Sequence, residues 1–143
     1  PYAARLLGGE AFGVRRGPSD DVIAVASSLE IFHAAALVHD DLIDNSDTRR
    51  GRPAAHRALE AFHTAAGWSG DAEAFGRSGA ILLGDLLVAW SDDLLEEGIA
   101  EADASHARAA RREYATMRRE VTIGQFLDVA EESAFASEPD DRH

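Results

Sequence analysis

No cysteine occurs anywhere in the 143 residues. That absence removes a disulfide framework, a thiol nucleophile and any thiolate metal site, and it makes a reducing, cytoplasmic setting the expectation. Basic residues are scarce beside acidic ones, 14 against 26, for a formal charge of −12. A chain of that sign is ill suited to nucleic acid or to an anionic lipid surface. Uninterrupted apolar runs are short, well under the roughly 20 residues that cross a bilayer, and the opening residues do not read as a basic-then-apolar leader. No nucleic-acid partner and no stable membrane insertion are expected.

What is present is helix-forming sequence. Hydrophobic residues make up 45% of the chain, and alanine outnumbers β-branched types in most segments, a composition that suits a helical globular protein. The length is one domain's worth and enough to bury a core. Pro1 to Gly13 reads as a helix interrupted at Gly8-Gly9, and residues 14–20 as a loop carrying Arg15 and Arg16, with Ser19 or Asp20 as N-cap candidates. Residues 21–43 are apolar almost all round, as in a helix buried among others. A loop is expected over 45–56, a short helix over 57–66, a turn at Gly67 to Asp71 and a further apolar helix over 75–95. A last helix is expected from Ala102 to about Ser133, with Ala107, Ala110, Tyr114, Met117, Val121 and Leu127 as its inner stripe and its arginines solvated or paired with Glu113 and Glu120. Residues 134–143 read as a polar tail. The chain is all-α.

One stretch carries chemistry. His33 to His56 reads HAAALVHDDLIDNSDTRRGRPAAH and sets Asp40, Asp41 and Asp44 at the C-terminal end of the first apolar helix, followed by Arg49 and Arg50. Acids at a helix C-terminus oppose its dipole by up to about 1 kcal/mol each, so something must compensate. Asp40 and Asp44 lie one turn apart on one face, with Asp41 on the neighbouring face. Hard oxygen ligands without cysteine favour Mg²⁺, which takes one or two carboxylates and completes its shell with water and substrate phosphate. The two arginines would supply bidentate forks for the remaining phosphate oxygens. The DDxxD spacing alone does not discriminate: Asp92, Asp93 and Glu96 mimic it, and a solvated helix end explains such acids equally well. The arginine pair with Gly51 and Pro53 behind it sets residues 40–53 apart from those decoys.

With those residues in view, SLEIFHAAALVHDDLIDNSDTRRGRPAAH resembles the first aspartate-rich motif of the trans-isoprenyl diphosphate synthases (polyprenyl synthetases), most closely the geranylgeranyl diphosphate synthase branch. Gly84-Asp85 and the TIGQFLDV segment with Gln125 and Asp128 are similar to two further family elements. The resemblance implies an antiparallel helical bundle, a partial isoprenoid synthase fold, with residues 1–143 as the N-terminal part of a single domain. The second aspartate-rich motif and the Gly-Lys-Arg element that binds isopentenyl diphosphate do not occur, and the start reads as cut.

For function, the resemblance implies head-to-tail prenyl transfer. Asp40 and Asp44 would hold Mg²⁺ on an allylic diphosphate, with Asp41 and Arg49 in the catalytic cluster and Arg49 gripping that diphosphate. Arg50 and His33 would position isopentenyl diphosphate, while Gln125 and Asp128 would face the allylic pocket. His39 and Asp85 would support these groups structurally. Ala35 and Ala36, where relatives carry bulky floor residues, imply a product of C20 or longer. A homodimer is implied, with assembly onto a longer chain also open. Two alternatives stand beside this: a class I terpene cyclase, against which the RRG and His33 argue, and a truncated non-catalytic partner subunit of a full-length prenyl synthase.

Overall fold

Helix α1 (Pro18–Ile43) is the most apolar of the described helices. The computed structural model describes residues 18–135. After α1 come a two-stranded hairpin, β1 (Thr48–Arg49) and β2 (Arg52–Pro53), then α2 (Ala55–Ala65), α3 (Ala72–Gly98) and α4 (Ala104–Phe135). The all-α reading holds. The helix expected within residues 1–13, the loop at 14–17 with its arginines and the tail from 136 lie outside the described residues.

α1 begins at Pro18, ahead of the expected start, because proline's fixed φ is preorganised for a first helical turn. α3 runs antiparallel to α1: Ser91 Oγ donates to the Ser28 carbonyl at 2.5 Å, Gly98 lies beside Asp21 and Val25, and Gly84 lies beside His39. α4 returns antiparallel to α3, with Arg111 forked onto Glu96 (2.7 and 2.7 Å) and Arg118 on Asp92 at 2.9 Å. The expected pairing of α4 arginines with Glu113 and Glu120 is corrected by this geometry, since for Arg111 and Arg118 the acids of α3 lie within reach. Arg118 also covers the Tyr114 ring at 4.9 Å.

The core sits where the three long helices meet. Leu95, Ile99, Ala107 and Tyr114 are buried, with Val25, Ala110 and Met117 packed on them. Phe32 meets Tyr114 edge to face at 6.2 Å, and the Tyr114 hydroxyl shares a short hydrogen bond with Ser91. Burial pushes the Tyr114 phenol above its ordinary range. The expected α4 stripe is therefore inner through Met117, whereas Val121 and Leu127 stand exposed.

Two connections depart from a plain loop. Residues 48–53 form a two-residue hairpin in which Arg50 (φ 52°) and Gly51 (φ 75°) both take positive φ, the requirement of a turn that matches strand twist. Between α2 and α3, Gly67 and Gly70 also take positive φ, while Asp71 caps α3 by accepting from the Glu73 and Ala74 amides at 2.9 and 3.1 Å. Phe62, His63, Trp68 and Phe75 close that corner as an aromatic cluster.

Asp103 caps α4, accepting from the Ser105 and His106 amides at 3.0 and 3.1 Å and pairing with the His106 ring. Hydrogen bonding from His106 first, then Ser105, holds its carboxyl well below the usual range, and Asp103 in turn raises His106. Stability from the depressed acid is present above its unfolded pKa of about 4 and is lost as pH falls. Stability from the raised histidine is present below about 6.5 and is lost as pH rises through the folded value. Asp103→Ala should thus lower the melting temperature most between about pH 4 and 6.5. Melts across pH that show a constant difference would refute it.

One sequence expectation needs revision. Although no uninterrupted apolar run is long, the segment Asp20–Ile43 of α1 is long and apolar enough to cross a membrane by length and composition. One face of it packs in the bundle through Ala24, Ser28, Phe32 and Ala35, while Val22, Ile23, Leu29 and Ile43 stand exposed. It is therefore not buried all round as the sequence suggests, and its end carries three carboxylates.

Candidate functional site

The last two turns of α1 present their acids in two directions. Asp41 points inward and is 3% exposed, whereas Asp40 and Asp44 open onto a cleft of about 680 Å³ between the ends of α1 and α4. The facing wall of α4 contributes Gln125, Asp128, Val129, Glu131, Glu132 and Phe135, with Ile43 completing the α1 side. Spacings of three and four residues put these groups on one face of each helix.

Excess negative charge defines this cleft. Desolvation, then the neighbouring charge of Asp44, together with Asp41 and Asp128, push the Asp40 carboxyl above its ordinary range, and Arg49 only partly offsets them. Acids so placed are relieved by a divalent cation. No group of three or more histidine and acidic side chains forms a ready cage among the described residues. Asp40 and Asp44 would fit an ion that takes one or two carboxylates and completes its shell with water and phosphate, as Mg²⁺ does.

The hairpin decides what its arginines do. Arg49 turns back onto α1: Nε donates to Asp41 Oδ1 and Oδ2 at 3.1 and 3.2 Å, and Nη2 reaches Asp41 Oδ1 at 2.5 Å and Asp40 Oδ2 at 3.5 Å. Asp41's carboxylate, buried at the end of a helix whose dipole opposes it, is thereby compensated. Arg50 stands exposed at the turn. Arg57, on α2, braces the segment before the hairpin through Asp47 at 2.9 Å.

Of the groups singled out in the sequence, Asp40, Asp44, Gln125 and Asp128 are brought together in the cleft. Arg49 sits beside it on Asp41 and Asp40. His33 is exposed further down α1 and lies outside the cleft lining. Ala35 is completely buried, whereas the Ala36 carbonyl accepts a 3.0 Å hydrogen bond from Gln125 Nε2. His39 fits its ring over Gly84 and reaches the Ile81 carbonyl at 3.3 Å and Asp85 at 3.5 Å, which supplies the partner expected for Asp85. Glu131 and Glu132 were not singled out by sequence reasoning, although their offsets of three and four from Asp128 place them on its face.

Comparison with known proteins shows the family. The family model described as polyprenyl synthetase matches residues 3–141. Geranylfarnesyl diphosphate synthase of Natronomonas pharaonis is 36% identical over 114 residues, 79% of this chain and 28% of that protein. Farnesyl diphosphate synthase of Mycobacterium tuberculosis is 33% identical over 108 residues, covering 76% of this chain and 24% of that one. Among solved structures, geranylgeranyl pyrophosphate synthase from Corynebacterium glutamicum, complexed with isoprenyl diphosphate and magnesium, superposes with a TM-score of 0.76 at 44% identity. The match covers 92% of this chain and 36% of that one, so the chain spans about a third or less of the length of these relatives.

Proposed function

Because this chain belongs to the polyprenyl synthetase family, we propose that its cleft is the diphosphate end of a head-to-tail prenyltransferase site. The reaction joins isopentenyl diphosphate to an allylic diphosphate and yields a polyprenyl diphosphate of C20 or longer. The observation that carries this reading is the meeting of Asp40 and Asp44 with Asp128 across one cleft, where desolvation first and then the neighbouring acids raise Asp40.

Asp40 and Asp44 would hold Mg²⁺, which when bound would supply charge neutralisation at the allylic diphosphate. Arg49 acts from its seat on Asp41, keeping that carboxylate neutralised and placing a cation beside the allylic diphosphate. Arg50, exposed at the hairpin tip, takes the diphosphate of isopentenyl diphosphate together with His33. Gln125 and Asp128 form the allylic wall, beside the apolar side chains of Ile43 and Val129. The working protein is a cytoplasmic homodimer.

A second reading, a non-catalytic subunit on a longer prenyl synthase chain, is favoured by the exposed Ile81, Leu82, Leu86 and Trp90 of α3.

Calorimetric titration of the chain with a non-reactive allylic thiodiphosphate, with Mg²⁺ and then with EDTA, tests the site. We expect at least about a tenfold loss in EDTA, or 1.4 kcal/mol. Equal affinity in both conditions would remove the metal-diphosphate reading. Turnover by this chain alone would separate the enzyme from the accessory subunit.

A further inference from the structure

We propose that Arg57 of α2 is a positioning residue for diphosphate binding: by gripping Asn45, Asp47 and Glu60 at once, it fixes how the hairpin leaves α1 and so places Arg49 and Arg50. The inference rests on the diphosphate site proposed above and assigns its alignment to a side chain outside the cleft lining.

The segment from Asp44 to Ala54 joins the acidic end of α1 to α2 and carries the hairpin arginines on the way. Main-chain bonds shape both of its ends: the Ser46 amide donates to the Asp41 carbonyl at 2.8 Å, and the Ala54 amide to the Asp47 carbonyl at 2.9 Å. Between them Asn45 takes a φ of 52°, in the left-handed region that asparagine tolerates better than most residues. Side chains then tie the segment to α2. Arg57 Nε donates to Asp47 Oδ1 at 2.9 Å, Nη1 to Glu60 Oε2 at 2.8 Å and Nη2 to Asn45 Oδ1 at 3.4 Å. Each nitrogen has its own acceptor, so the planar guanidinium sets directions as well as distances. Just ahead of the hairpin, Asp47 is thus held twice, by its carbonyl and by its carboxylate.

α2 is a firm anchor for this grip. Ala54 and His56 at its start are buried, and Gly76 of α3 lies so close that a Cβ there would stand 3.2 Å from the Glu60 Cβ. The hairpin has no comparable support of its own. Its strands are two residues each, too short to be stable in isolation, and Arg50 and Gly51 are exposed at its tip. Its orientation is therefore inherited from residues 45–47, which Arg57 holds. Charge gives the same contact a second use. Asp47 is an acid two positions from Arg49; engaged by Arg57, its carboxylate is kept from competing with a diphosphate for the hairpin arginines. Arg57 acts through those arginines and does not itself touch the ligand.

The test measures Mg²⁺-dependent binding of inorganic diphosphate by the wild-type chain, Arg57→Ala, Arg57→Lys and Asp47→Ala, at a temperature where circular dichroism shows each of them folded. Position and charge predict opposite signs for one of these variants. Asp47→Ala removes a negative charge near the hairpin, which by field alone strengthens anion binding, whereas loss of the grip weakens it. Arg57→Lys keeps the charge, but a point charge on a flexible stem does not reproduce the fork. All three variants should lose about tenfold in affinity, the low end of what loss of a supporting group costs. Hydrogen exchange at the Ser46 and Ala54 amides should quicken in each of them, reporting the released segment without any ligand. Wild-type affinity in any of the three, or tighter binding by Asp47→Ala, would overturn the inference. Failure of the wild type to bind diphosphate with Mg²⁺ would bring down the proposed function and this inference together, whereas wild-type binding with unaffected variants would bring down this inference only.

Discussion

Changing Asp40 and Asp44 together to asparagine should weaken Mg²⁺-dependent binding of an allylic diphosphate by about a hundredfold or more. Loss of groups that merely support metal ligands typically costs 10–100-fold, and loss of the ligands themselves should exceed that. The same substitutions should affect stability in the opposite direction. Asp40's carboxyl is raised by burial and by Asp44, Asp41 and Asp128, so its ionised form opposes folding. An acid raised in the folded state contributes stability below its unfolded pKa, near 4, and loses it as pH rises through the folded value. At neutral pH in EDTA, Asp40→Asn should therefore melt above the wild type, and the gain should shrink toward pH 4. Asp92→Asn provides the contrast. That acid, part of the decoy with similar spacing, is engaged by Arg118 on the far side of the bundle, and its loss should leave Mg²⁺-dependent binding intact. A double variant that still binds in a Mg²⁺-dependent way would refute the assignment of these aspartates.

The elements that could be read from the sequence are those whose information is periodic. α1, α3 and α4 each repeat apolar residues over several turns, and their ends moved by only a few residues when the structure was compared with the pattern. Asp40 with Asp44 was legible as a pair because a four-residue offset stacks side chains on one helix face, whereas Gln125 with Asp128 stood out only through the family resemblance. Groups whose partner depends on docking were not legible. The contact of Arg49 with Asp41 is one of these, because it is made by a hairpin whose two-residue strands are too short to show alternation. Arg111 and Arg118 find acids on α3 that no local spacing brings near. Val121 and Leu127 continue the α4 stripe by period yet stand exposed, because periodicity states which face is apolar and not whether a neighbour covers it.

The largest stability effect should come from Gly76→Ala, at the junction that carries the hairpin. A Cβ built on Gly76 would fall well inside contact distance of the His56 carbonyl and 3.2 Å from both the Glu60 amide and its Cβ. These are mostly backbone atoms of the first two turns of α2, which cannot swing aside. α2 would have to back away, opening the packing around the buried His56. Overpacking of this kind costs about 1–3 kcal/mol, against up to about 1 kcal/mol regained from alanine's helix propensity. Two other α3 glycines calibrate the argument. At Gly84 the added methyl meets only the ring of His39, and at Gly79 only the tip of Leu59 at 2.9 Å. Both obstacles are side-chain ends that can rotate, so Gly84→Ala should cost less and Gly79→Ala should be close to neutral. Because Ala54, directly before α2, is buried and donates to the Asp47 carbonyl at 2.9 Å, retreat of α2 would also pull on the hairpin that seats Arg49 against Asp41. Gly76→Ala should accordingly lose diphosphate affinity along with several degrees of melting temperature, while Gly79→Ala keeps both. Urea melts that rank Gly76→Ala at or above the wild type would show that the α2–α3 contact is looser than this geometry requires.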